Sequence, residues 1–308
     1  MAVDLGTTVE LTPGGDVVSL CSASEAHAAE VPIDVTDPAC VSPTWARYVA
    51  GVVAEAKPPV GGHGIVTTTL PIGVGLSSSA ALEVAVALAV GVRATPLELA
   101  QLCQRAEQRA SGVPCGIMDQ LASAAGVDGH ALLIDCRSLE VTPIPVPDGV
   151  AVYAVDSGEA RTLARSAYAE RRAGCGAAAA VIGPLRDATL DDVARLEEGE
   201  LRRLARHVVA ENERVVGFAH ALCAGDLVAA GERMYESHAS LRDDFAVSTT
   251  ALDSLVERLR ATPGVYGARL TGGGFGGAVV VLCDAGAEID DGLRLRPSAG
   301  AHVEWTAG

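Results

Sequence analysis

The stretch Pro71-Ile72-Gly73-Val74-Gly75-Leu76-Ser77-Ser78-Ser79-Ala80-Ala81-Leu82-Glu83 constrains this chain more than any other. An apolar, Thr-rich run, Gly64–Leu70, precedes it and reads as a strand. Ala80–Arg93, rich in Ala, Val and Leu, follows and reads as a buried helix. The order is therefore strand, glycine loop, helix. The first turn of a helix has unpaired N–H groups and the positive end of the peptide dipole. Glycines let that backbone approach an anion without a Cβ in the way, and three serines add hydroxyl donors. Such a stretch is a phosphate cradle. It is not a Walker loop, because no Gly-Lys-Ser/Thr follows and the only lysine is Lys57. A dinucleotide fingerprint also fails, since Gly73-Val74-Gly75 leads into Leu-Ser-Ser-Ser rather than x-x-Gly. A Rossmann oxidoreductase is accordingly a weak reading.

Composition limits the partners. A formal charge of −16 argues against nucleic acid or an anionic membrane, and means that any phosphate ligand is held by local N–H groups, Arg or metal. Aromatics are only 3% against 49% hydrophobic residues, so the core must be built from Ala, Val and Leu. The eight cysteines show no Cys-x-x-Cys, and free, buried thiols in a reducing cytoplasm are expected. Residues 1–8 are neither basic nor a long apolar run, which predicts no signal peptide, and no apolar run is long enough to span a bilayer. The expectation is a soluble cytoplasmic monomer.

Along the chain, strands are predicted over residues 1–5, 8–11, 17–22, 64–70, 131–135, 140–142, 150–156, 265–271, 278–283 and 301–305. Helices are predicted over 44–56, 80–93, 95–111, 116–125, 164–182, 201–224, 226–241 and 249–261, and 190–198 reads as a short, charged, exposed stretch. Thr95-Pro96-Leu97-Glu98 is a helix start with a cap, a proline and an acid in order. Pro143, Pro145, Pro147 and Gly149 mark a domain boundary, giving domains 1–145 and 146–308. The reading is α+β, two domains with a cleft between them.

A second glycine stretch, Thr271-Gly272-Gly273-Gly274-Phe275-Gly276-Gly277, has five glycines in six residues before a strand. Together with the first stretch it resembles the second and third motifs of the galactokinase, homoserine kinase, mevalonate kinase and phosphomevalonate kinase (GHMP) superfamily, and within it the galactokinases. Supporting segments occur in the family's order: Pro114–Gln120, Gly129–Glu140, Tyr168 with Arg171-Arg172, Ser237–Asp244 and Pro263–Arg269.

The resemblance implies a two-domain GHMP-kinase fold with the active site in the cleft. It implies ATP-dependent phosphorylation of the C1 hydroxyl of a monosaccharide, galactose first, with ATP and Mg²⁺ as cofactors. Gly73, Gly75, Leu76, Ser77, Ser78 and Ser79 would bind the phosphates, and Trp45 would line the adenine pocket. Ser79 and Glu107 would be the magnesium ligands. Asp119 would be the catalytic residue facing the anomeric hydroxyl, with Gly116, Tyr168 and Gly273 also at the sugar. Read without the family, Glu107 is an ordinary solvated helix acid and Trp45 a core anchor, while Asp119 is equally a helix cap or a reactive acid and Tyr168 equally a surface tyrosine or a sugar ligand. His238 and Arg242-Asp243-Asp244 read as structural pairing between helices.

The family opens with an Arg-x-Asn-Leu-x-Gly-Glu-His-x-Asp motif that this chain lacks; Met1–Thr7 resembles the sequence just after it. Two expectations compete. Either Met1 is internal to a longer protein, or the chain is truncated and its acceptor site half-built. The second predicts a chain that binds ATP–Mg²⁺ without measurable sugar phosphorylation. A non-catalytic sugar- and ATP-binding regulator, or a kinase of a related sugar, is the alternative function.

Overall fold

The computed structural model describes residues 1–71, 75–159 and 164–304. They divide into two compact units, one of residues 1–71, 76–143 and 297–304, the other of residue 75 and the described residues between 144 and 296.

The first unit carries a sheet in the order β1-β4-β2-β3, with β1 at Thr7–Pro13, β2 at Val17–Ser22, β3 at Ala29–Pro32 and β4 at Gly62–Thr68. β1 runs antiparallel to β4, from Thr7 opposite Thr68 to Pro13 opposite Gly62. β2 is parallel to β4, which demands a crossover. Helix α1 (Ala46–Glu55) lies in that connection. Alternation in β2 sends Val18 and Leu20 inward. They meet Val49, Val52 and Val53 of α1, then Val84 and Val86 of α2 (Ser78–Ala89). Leu99 and Cys103 of α3 (Pro96–Ser111) and Leu121 of α4 (Met118–Ala125) close the core. The inventory is small and aliphatic, as the scarcity of aromatics requires. Thr95 and Glu98 form the full capping box that the sequence announces: Thr95 accepts from the Glu98 N–H at 3.3 Å, and the Glu98 carboxylate accepts from the Thr95 N–H at 2.8 Å. A ribbon of β5 (His130–Ile134) and β6 (Val141–Pro145) follows α4, and the division between units falls within β6.

The second unit is built on an antiparallel sheet, β10-β7-β9-β8, from β7 (Val150–Asp156), β8 (Val265–Leu270), β9 (Ala278–Asp284) and β10 (Gly292–Leu295). Its helices are α5 (Ala164–Ile182), the short α6 (Leu190–Ala194), α7 (Glu200–Ala224), α8 (Leu227–Asp243) and α9 (Thr250–Arg260). Val279, Val281 and Cys283 of β9 pack with Leu252, Val256 and Leu259 of α9. α8 lies directly on β8, and Gly231 is what permits it: a Cβ there would run into the Tyr266 carbonyl and the Gly267 amide.

Five expectations change. Residues 1–5 form no strand, only a bridge between Val3 and Pro297. Residues 301–304 form none either, and Trp305 lies outside the described residues. Residues 297–304 group with the first unit rather than with the segment from 146 on. The reason is local hydrogen bonding: Ser298 N–H donates to Ala2 O at 3.1 Å, Gly300 N–H to Gly126 O at 2.8 Å and Ala301 N–H to Ser123 O at 2.9 Å. The cysteines are all free, but Cys21, Cys40, Cys136 and Cys223 are exposed, while only Cys103 and Cys283 are buried. Cys21 shows why: β2 alternates, so Val18 and Leu20 face the core and Cys21 does not. β10 is absent from the expected strands; its four residues alternate, Leu293 and Leu295 against Arg294, but directly follow the acidic run that ends at Asp291.

Candidate active site

The phosphate loop can be followed from Gly75; Gly73 lies outside the described residues. Gly75 has φ +92°, a conformation that favours glycine. Ser77, the residue before α2, is left-handed at φ +56° and ψ +45°. Its carbonyl accepts the Ala81 N–H at 3.1 Å, yet its side chain caps nothing. The first turn of α2 thus lacks a side-chain cap, and half-buried Ser77, Ser78 and Ser79 surround it. An anionic oxygen placed there meets N–H donors and the helix dipole together.

One turn into α2 the side chains meet a carboxylate cluster drawn from three helices. Ser79 Oγ donates to Glu107 Oε1 of α3 at 3.2 Å. The other oxygen of Glu107 accepts a short hydrogen bond from Gln120 Nε2 of α4. The same Gln120 nitrogen donates to Glu83 Oε2 of α2 at 3.1 Å. Glu83 and Gln120 are 0% and 1% exposed. Burial, and then the nearby Glu107 charge, push the Glu83 carboxyl up to about 9, so it is protonated at neutral pH. Burial raises Glu107 as well, opposed by the hydrogen bonds from Ser79 and Gln120. Glu83 Oε1 and Gln120 Oε1 are buried without a hydrogen-bond partner. Each such atom costs about 1–3 kcal/mol, so the cluster is not there for stability alone. Glu107 is therefore not the solvated helix acid that its neighbours in sequence suggest. Ser79 Oγ and Glu107 Oε1 present adjacent oxygens, a donor type that suits magnesium.

Asp119 lies in the first turn of α4, half-buried and directly before Gln120. The loop leading to it is held by α3: Gln104 and Gln108 both donate to the Cys115 carbonyl, at 3.1 and 3.0 Å. Gly116 is exposed, with open space where a Cβ would stand. Burial and the Glu107 and Glu83 charges push the Cys115 thiol up to about 12, so it is no nucleophile. Trp45 precedes α1, packs on the core with its indole body and donates Nε1–H to His27 O at 3.0 Å.

The second unit carries Tyr168, half-buried on α5, and the late glycine loop. Gly272, Gly274, Phe275, Gly276 and Gly277 all have positive φ, which explains the glycines. Gly273 is half-buried, with open space where a Cβ would stand. Phe275 N–H donates to Val247 O at 2.8 Å, and Gly277 N–H to Glu159 O at 3.0 Å. Beneath the strand that leads into the loop, His238 Nδ1 accepts the Leu270 N–H at 3.3 Å while Nε2 lies 3.2 Å from Asp253. Asp244 pairs with Arg206 of α7, and Arg242 with Asp243. His238 and Asp244 thus pair across helices as expected, whereas Arg242 pairs with Asp243 within α8.

Sequence reasoning missed Glu83 and Gln120. A signal for Glu83 existed: a single acid four residues after Ser79 in an otherwise apolar helix faces the same way as that serine. Gln120 gave none.

A helix-capped phosphate loop, an adjoining Ser–Glu oxygen pair, an acid one helix away and a second, separate glycine loop describe a small-molecule phosphotransferase. The comparisons agree. The GHMP kinases N terminal domain model matches residues 46–127, and the GHMP kinases C terminal model residues 218–294. A galactokinase of Chloroflexus aggregans is 47% identical, covering 84% of this chain and 75% of its own length. Human galactokinase is 44% identical, covering 93% and 78% respectively. The crystal structure of Lactococcus lactis galactokinase complexed with galactose superposes with TM-score 0.88 at 28% identity, covering 97% of this chain and 87% of that one. The chain belongs to the GHMP kinases and, among them, to the galactokinase family.

Proposed function

We propose that this protein transfers the γ-phosphoryl group of ATP to the anomeric C1 hydroxyl of galactose, giving galactose 1-phosphate and ADP. The relatives named galactokinase, at 44–47% identity over most of the chain, carry this reading. They weigh against a silent sugar binder. In the reaction the O1–Pγ bond forms and the bond from Pγ to the bridging oxygen of ADP breaks. Asp119 takes up the O1 proton, or holds and polarises the hydroxyl while the proton leaves by another route. The Gly75–Ser79 backbone and hydroxyls hold the phosphates, and Gly73 belongs to the same loop. Trp45 lines the adenine site. Gly116, Tyr168 and Gly273 contact the sugar.

Ser79 and Glu107 would hold Mg²⁺, which would neutralise charge on the transferred phosphoryl group. The support for it is the oxygen-only pair at the start of α2. The protein works as a cytoplasmic monomer on this reading, and among the described residues no helix is long and apolar enough to cross a membrane. Coupled ADP-release assays over a panel of hexoses and pentoses test the proposal. Galactose-dependent ADP release is expected. ATP binding without turnover on any sugar overturns it.

A further inference from the structure

We infer that Gln120, backed by Glu83, is a positioning residue for the metal: its carboxamide fixes the Glu107 carboxylate so that Oε1 faces Ser79. This rests on the reading of Ser79 and Glu107 as the metal's protein ligands. Gln120 has one side-chain nitrogen with two N–H groups, and both are spent on carboxyl oxygens, one on Glu107 and one on Glu83. The amide therefore cannot rotate about its last bond without losing a partner on each side. It holds one oxygen of Glu107 while Ser79 donates to the other, and the Cys115 thiol also donates to this carboxylate. Glu83 serves as the fixed anchor on the far side, on the same helix as Ser79 and one turn behind it. Gln120 also adjoins Asp119 in the chain, so one residue ties the start of α4 to the α2–α3 cluster. Among the described residues the Gln120 carboxamide nitrogen bonds only these two carboxyls, and the carboxamide oxygen is buried without a partner. The side chain is committed to this bridge.

Partners of this kind in metal sites are worth about 10–100-fold in metal affinity. The test is Mn²⁺ binding in the presence of a non-hydrolysable ATP analogue, followed by the free-Mn²⁺ electron paramagnetic resonance signal. The rate against Mg²⁺ concentration is measured alongside. Gln120→Met keeps the length and removes both donors. It should weaken Mn²⁺ binding about 10–100-fold and shift the Mg²⁺ dependence upward, with kcat largely recovered at saturating metal. A purely structural loss would not be restored by metal. Glu83→Met should weaken binding in the same direction, and Glu83→Gln, which still offers an acceptor to Gln120, should restore it. The Glu83 pair gives the answer on its own if Gln120→Met does not fold. Glu107→Gln separates the two readings. If it binds Mn²⁺ as the unaltered protein does, the ligand assignment fails. If it loses binding while Gln120→Met and Glu83→Met retain it, the ligand assignment stands and the positioning inference is overturned.

Discussion

At the scale of single residues, Asp119 and Glu83 are two acids that their surroundings treat in opposite ways. Asp119 keeps contact with solvent at the start of α4, where a substrate hydroxyl can reach it. Replacing it with Asn preserves shape and removes the charge. Turnover of galactose should fall by about 10²–10⁴, the span for loss of a general base, while ATP affinity measured by calorimetry changes little. Near-normal turnover would move the chemistry elsewhere. Glu83 is sealed in, and its folded pKa of about 9 lies above the ordinary 4.5. Its carboxyl is neutral in both states below the ordinary value. Between the two values the unfolded chain releases a proton that the folded chain keeps, so stability falls as pH rises, by up to about 1.4 kcal/mol per pH unit. Glu83→Gln cannot titrate. Its stability relative to the unaltered protein should therefore improve by about 2 kcal/mol between pH 5.5 and 7.5, read from urea unfolding at both values. A pH-independent difference would mean that Glu83 is ionised in the folded protein.

At the scale of elements, the close seat of α8 on β8 depends on one missing methyl. Gly231→Ala puts a Cβ against the backbone of Tyr266 and Gly267, which cannot swing aside as a side-chain tip can. The second unit should lose about 1–3 kcal/mol or more, seen as a lowered unfolding midpoint, with the first unit's transition unmoved. Elements of this kind were legible in sequence where a local rule sets them. Thr95, Pro96 and Glu98 announce α3 because capping is chemistry between neighbours. Val150–Asp156 and Ala164–Ile182 appear as their composition suggests. The candidate site was legible along the chain but not across it. Ser79, Glu107 and Asp119 came from motif resemblance, whereas the Gln120 bridge is a meeting of three helices whose partners lie 37 and 13 residues away. A glutamine gives no periodic or charge signal for such a meeting. The strands expected at residues 1–5 and 301–305 failed for the opposite reason: both segments suit an extended backbone, but the first forms only a bridge and the described part of the second no ladder.

At the scale of the whole molecule, a charge of −16 acts on every anionic ligand before it arrives. The nucleotide–metal complex is itself negative, so its approach is slowed at low salt. Raising the ionic strength from about 0.02 to 0.15 M shortens the screening length. The association rate of a fluorescent ATP analogue with Mg²⁺ should therefore rise, by roughly two- to threefold given fields of a few kT. A stopped-flow rate that falls with salt would reveal a positive funnel at the site that outweighs the net charge. A last consequence follows from residues 297–304, which pair with Ala2, Ser123 and Gly126 in the first unit. The ribosome makes the whole of the second unit before it makes this segment. A nascent chain can close its second unit while its first still waits for the piece that joins Ala2 to the end of α4. Here the unit begun earliest in synthesis is the one finished last.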